Sequence, residues 1–91
     1  MTRQQKLRDA KKEQLREWMR SNGYKEDRYG NWVRETSGGI HYRFKFQPLS
    51  LRKEVKDTYD NNPAWIGLWT AYYRDVMIET RGRMIVARRI A

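Results

Sequence analysis

Residues 40–46, Ile-His-Tyr-Arg-Phe-Lys-Phe, alternate large apolar side chains with basic ones without interruption. Successive strand side chains point to opposite faces. A β-strand here therefore puts Ile40, Tyr42, Phe44 and Phe46 on one side and His41, Arg43 and Lys45 on the other. Four large apolar groups in a chain of 91 residues must be covered, whereas the cations require water or an anion. The run commits the chain to a sheet that is buried on one face, and so to a second layer that does the burying.

The N-terminal segment has the features of that layer. Thr2 and Gln5 stand at the spacing of a capping box, in which each side chain meets the other's free backbone N–H. No Gly or Pro interrupts the chain before Ser21, and Asn22-Gly23 is a helix stop. The apolar positions Leu7, Ala10, Leu15, Trp18 and Met19 crowd into the second half of this helix. The pattern predicts that Leu15, Trp18 and Met19 dock on the sheet. Residues 1–14, with Arg3, Lys6, Arg8, Lys11 and Lys12, then project as a basic arm.

Beyond Gly23 the pattern shortens to a period of two. Residues 24–28, 31–36 and 40–47 read as antiparallel strands, with turns at Tyr29-Gly30 and Ser37-Gly38-Gly39. Pro48 ends the third strand. Residues 49–56 read as a fourth, with Leu49, Leu51 and Val55 on one face, and residues 57–63 as a polar loop. Residues 64–76 admit two readings. As a helix capped by Asn62, with Pro63 at its first position, Trp65, Leu68, Trp69, Tyr72 and Val76 line one face. As a strand, the Ile, Thr, Trp and Tyr content and Gly67 fit better. The last segment reads as a hairpin that pairs Ile78 with Ile85 and Met77 with Val86, with both faces partly apolar. The expected fold is α+β, an N-terminal helix packed on a mainly antiparallel sheet of about five or six strands. It forms one small domain over residues 1–91.

Loop parity decides where Trp32 goes. An even loop across Thr36-Ser37-Gly38-Gly39 turns Val33 to the core and leaves Trp32 and Arg34 among His41, Arg43 and Lys45. An odd loop of about three residues that ends in a left-handed Gly reverses the faces and buries Trp32. In the first case a Trp ringed by cations can stack an unpaired base while the cations meet phosphates.

Twenty Lys and Arg face eleven Asp and Glu, for a net charge of +9. A surplus of that density favours polyanionic partners. The bases concentrate at both ends: Arg3, Lys6, Arg8, Lys11, Lys12, Arg16 and Arg20 in the helix, and Arg74, Arg81, Arg83, Arg88 and Arg89 near the C-terminus. There is no Cys, hence no disulfide and no thiol nucleophile, and His41 is the single histidine. Phosphate-binding glycine loops and hydrolase motifs are absent, and the carboxylates are scattered. The sequence points to a protein that is not an enzyme and needs no metal or cofactor. It contains neither an apolar leader nor a membrane-length run, so a cytoplasmic location with no membrane partner is expected.

Ser21-Asn-Gly-Tyr-Lys-Glu-Asp-Arg-Tyr-Gly-Asn-Trp-Val-Arg-Glu35, then Tyr-Arg-Phe-Lys-Phe at 42–46, Arg-Lys-Glu-Val-Lys at 52–56 and Ala-Tyr-Tyr-Arg-Asp-Val at 71–76 resemble small phage and prophage proteins of unassigned function. The likeness is carried by positions spread over residues 21–86. It implies an intracellular, phage-type setting in a bacterial host and strand rather than helix for residues 64–76. It assigns no functional residues.

Two functions are expected. One is binding of DNA or RNA through a basic face with aromatic stacking, with Trp32, Arg34, His41, Arg43, Lys45, Arg81, Arg83, Arg88, Arg89, Lys11 and Lys12 as candidate contacts. The other is docking on an acidic host or phage protein complex as inhibitor or adaptor, through Met77, Met84 and Val86, with a homodimer as a variant.

Overall fold

A computed structural model describes residues 2–90, apart from the side chains of Gln4 and Leu7. The expected apolar contribution of Leu7 lies outside the described residues. Thr2 caps helix α1 (Arg3–Ser21). The Gln5 N–H donates to Thr2 Oγ1 at 3.2 Å and the Thr2 N–H to Gln5 Oε1 at 2.8 Å, which completes the capping box. Leu15 and Met19, one turn apart, are fully buried, and Trp18 packs beside them. Each such side chain stabilises the fold by about 1.5–3 kcal/mol on burial. The described side chains up to Ala10 are exposed.

The strands β1 (Lys25–Glu26), β2 (Trp32–Glu35), β3 (Ile40–Gln47), β4 (Ser50–Asp57) and β5 (Ile66–Tyr72) form one antiparallel sheet in chain order. Strands β6 (Val76–Arg81) and β7 (Met84–Arg89) pair as a separate hairpin. The fold is α+β, with residues 66–72 a strand. Two side-chain seams hold the layers. The Trp18 ring meets the Phe44 ring edge-on at 6.1 Å, and the Trp18 Nε1–H donates to the Gly82 carbonyl at 2.7 Å. Helix and hairpin thus lie on the same side of the sheet, over Tyr42, Phe44 and Phe46, with Ile78, Val76 and Ile85 packed into that core.

The charged stems of the helix take part. Lys12, Arg16 and Arg20, spaced at one helical turn, lie over the rings of Tyr73, Phe46 and Trp32 at 5.8, 5.0 and 5.2 Å. Such side chains cover ring surface with their methylenes and keep the charge at the rim.

Three expectations need correcting. Trp32 pairs with Phe44 and Arg34 with Tyr42, so both stand on the covered side, and Trp32 is only 3% exposed. The loop between β2 and β3 has the odd length, ending in Gly39 at φ +81°. Leu49 is exposed because Pro48-Leu49 forms the two-residue turn between β3 and β4 instead of extending β4. The last hairpin turns at Gly82-Arg83, with Gly82 at φ +57°, one residue later than the expected Arg81-Gly82 turn. Its pairs are Ile78 with Ala87 and Met77 with Arg88. This is a shift of two residues along the ladder, so each side chain keeps its expected face. Finally, β5 carries an extra residue, Leu68, opposite the Lys53–Glu54 step. The bulge sends Trp69 inward, beside Phe44, and leaves Trp65 and Gly67 on the other face.

Candidate nucleic-acid interface

Among the described residues no helix or strand covers the second face of the five-stranded sheet. Its composition follows from register. Pairing across β3 and β4 sets His41 beside Lys56, Arg43 beside Glu54, and Lys45 beside Arg52. Glu54 and Arg52 neighbour Gly67 and Thr70 on β5, while Val33 and Glu35 of β2 and Lys25 of β1 extend the face at the other edge. Among the described residues of the strands, Lys25, Arg43, Lys45, Arg52 and Lys56 therefore share a surface with two acids, Glu35 and Glu54.

Glu54 is buried, and it organises the centre of this surface. Arg43 donates to its Oε1 from Nε at 2.8 Å and from Nη2 at 2.6 Å. Arg52 Nε donates to its Oε2 at 3.1 Å, and Arg52 Nη1 donates to Thr70 Oγ1 at 3.1 Å. Burial pulls the Glu54 carboxyl upward, but the hydrogen bonds from Arg43 and Arg52 and the charges of Arg43 and Lys45 outweigh it and hold the group below its usual value. Gly67 leaves the space in which the Arg52 guanidinium lies, since a Cβ there would overlap it. Thus one carboxylate holds two arginines on this face.

Trp65, half-buried just before β5, completes the site. The Arg43 guanidinium stands 4.2 Å from its ring centroid and the Lys56 ammonium 5.2 Å. Among the described residues every ion pair is made by an arginine, so Lys25, Lys45 and Lys56 meet no carboxylate within 4 Å. The arrangement offers an aromatic–guanidinium stack flanked by lysines that lack acidic partners.

The expected contacts divide. His41, Arg43 and Lys45 are together on this face. Trp32 and Arg34 are not: Trp32 is in the core, and Arg34 lies over Tyr24 and Tyr42 at 5.7 and 5.8 Å. A Trp32 stacking face is thereby ruled out. Arg81 and Arg88 pair with Glu79 at 3.9 and 3.1 Å on the hairpin, Arg89 sits opposite Val76, and Arg83 forms the β6–β7 turn. Lys11 and Lys12 belong to the helix layer. Met77, Val86 and Met84 share one face of the hairpin, where Met77 and Met84 are 49% and 63% exposed. Sequence reasoning missed Arg52, Glu54, Lys56 and Trp65. The tight Pro48-Leu49 turn was the available signal for the first three, because it sets β4 against β3. Trp65 had none, as its face depends on the bulge.

Among the described residues no three His, Asp or Glu side chains gather as a metal site requires, and no helix is long and apolar enough to cross a membrane. Compared with known proteins, the chain matches no family model, no curated protein and no solved structure.

Proposed function

We propose that this protein is a non-enzymatic binder of single-stranded nucleic acid, in the phage-type setting that its sequence resembles, and that the uncovered sheet face is its contact surface. One observation carries the reading: the Arg43–Trp65 stack lies beside Lys45 and Lys56, which have no acidic partner among the described residues. An open sheet suits splayed bases better than a duplex groove, which takes a helix or a two-stranded ribbon. Stacking on an aromatic ring contributes about 1–3 kcal/mol per base and tolerates any sequence. Lys25, Lys45, Lys56 and the outer edges of Arg43 and Arg52 supply the phosphate contacts.

The test is fluorescence anisotropy with labelled single-stranded DNA, single-stranded RNA and duplex of equal length in dilute buffer. Single strands are expected to bind at least tenfold tighter than duplex, and Trp65→Ala to weaken binding about 5- to 150-fold. Equal retention of single strand, duplex and heparin would reduce the surface to generic charge.

A second reading, docking on an acidic protein, has its own observation: Met77, Val86 and Met84 lie on one side of the β6–β7 hairpin. Capture of one stoichiometric partner that survives nuclease treatment and is lost in Met77→Glu would select it.

A further inference from the structure

On the opposite side of the sheet a cavity of about 320 Å³ opens between α1, the inner sheet face and the β6–β7 turn. Its walls include the rings of Trp18, Tyr24, Tyr42 and Trp69. Its charges are Arg34, Lys53 and Arg83. Lys53 is the unusual one. Register places it in the middle of the sheet, between Phe44 and Trp69 on the covered face. Its ammonium lies over the rings of Tyr42 and Phe44 at 5.0 and 5.4 Å. No carboxylate among the described residues pairs with Lys53, Arg34 or Arg83.

A half-buried cation in an aromatic layer is normally matched by an acid. Here burial, and secondarily the charge of Arg34, hold the Lys53 ammonium below its usual pKa. Packing alone would favour Met or Leu at this position. Three cations without acidic partners suit an anion, and the rings beside them suit a flat aromatic group on the same molecule. A volume near the lower bound of about 300–1,000 Å³ for small-molecule sites matches one nucleotide unit.

We propose that this cavity binds a 5′-mononucleotide, its base against Trp18, Tyr24, Tyr42 or Trp69 and its phosphate on Arg34, Lys53 and Arg83. The site is distinct from the outer sheet face and does not depend on the function proposed for it. A nucleotide seated here touches helix, sheet and hairpin together, so it ties the three layers at the seam closed by the Trp18–Gly82 hydrogen bond.

The experiment is titration of the full chain with AMP, GMP, CMP and UMP, followed by tryptophan fluorescence and by the Trp18 indole N–H resonance, with adenosine and inorganic phosphate as controls. At least one mononucleotide is expected to bind tenfold or more tightly than either control and to shift the Trp18 resonance. Lys53→Met should weaken that binding at least tenfold, and Arg83→Gln, in an exposed turn, about threefold. Lys45→Glu/Lys56→Glu, on the outer face, should leave it unchanged while it weakens oligonucleotide binding at least thirtyfold. A phosphate affinity equal to that of every mononucleotide overturns base recognition. Undiminished binding by Lys53→Met overturns the site, and if that variant does not fold, undiminished binding by Arg83→Gln with an unmoved Trp18 resonance does the same.

Discussion

Glu54 and Tyr73 show opposite consequences of a polar group under cover. Glu54 accepts from two arginines, and its side chain is 9% exposed. Glu54→Gln would leave both guanidinium groups without their counter-charge and is expected to cost about 2–3 kcal/mol, a fall in Tm of about 10–20 °C by thermal unfolding. Because the folded carboxyl titrates below its unfolded value of 4.5, its contribution is complete above that pH. It is lost as pH falls through the lowered folded pKa, so the gap between wild type and Glu54→Gln should close in acid. The Tyr73 hydroxyl is buried with no partner among the described residues, and burial pushes its pKa up to about 12, against the opposing charge of Arg16. Tyr73→Phe removes an unsatisfied group and keeps the ring under Lys12, so it should raise stability by up to about 1 kcal/mol. The folded state favours the neutral phenol, a preference fully present below pH 10 and lost as pH climbs towards 12. Tyr73→Phe should therefore resist alkaline unfolding better than wild type. Lys53 is the third case: a base with a lowered pKa destabilises the fold while charged, so Lys53→Met should melt higher at pH 7 even as it loses the anion site.

At the scale of elements, the alternation of residues 40–46 was readable because period two is local. Its partner strand was not, because the choice of faces for Trp32 lies in one loop residue. Gly39 is held by contacts from far along the chain. The Thr58 N–H and the Thr58 hydroxyl both donate to its carbonyl, each at 2.9 Å, and the Tyr59 ring covers its Cα. Nothing between Thr36 and Ile40 reports this, so both loop lengths fitted the sequence. The Leu68 bulge escaped detection for the same reason: a strand pattern with one extra residue looks like a helix pattern with apolar spacings of three and four. The helix, in contrast, was legible to its cap, since Thr2, Gln5 and the stop at Asn22 act within a few residues. Gly39→Ala should cost about 2–4 kcal/mol, from a left-handed backbone (about 1–3 kcal/mol) together with displacement of Tyr59. Tyr59 is exposed, and Tyr59→Ala in that background should recover only the overlap. Chemical denaturation of the two single variants and the double variant measures the coupling.

For the whole molecule, a net charge of +9 resolves into two layers that face opposite ways. On the helix side much of the charge has an internal role: Arg16 and Arg20 pair with Glu13 and Glu17, and their stems roof Phe46 and Trp32. On the bare sheet face Lys25, Lys45 and Lys56 pair with no carboxylate among the described residues, and only Lys56 lies over a ring, that of Trp65. If charge alone drove binding, cations on either layer would count equally. If the sheet face is the site, they would not, and salt dependence separates the cases. Each phosphate neutralised on a single strand adds about 0.7 to the slope of log affinity against log salt. Lys45→Glu/Lys56→Glu should flatten that slope by about 1.4 and cut affinity at least thirtyfold at low salt. Arg3→Glu/Lys6→Glu makes the same change in net charge at exposed positions in the first turn of the helix, where acids favour the positive end of the dipole and spare the fold. It should leave the slope within about 0.3 of wild type. Equal flattening by the two pairs would mean that the strand has no preferred side, and the basic sheet would then be only the solvated back of a small core.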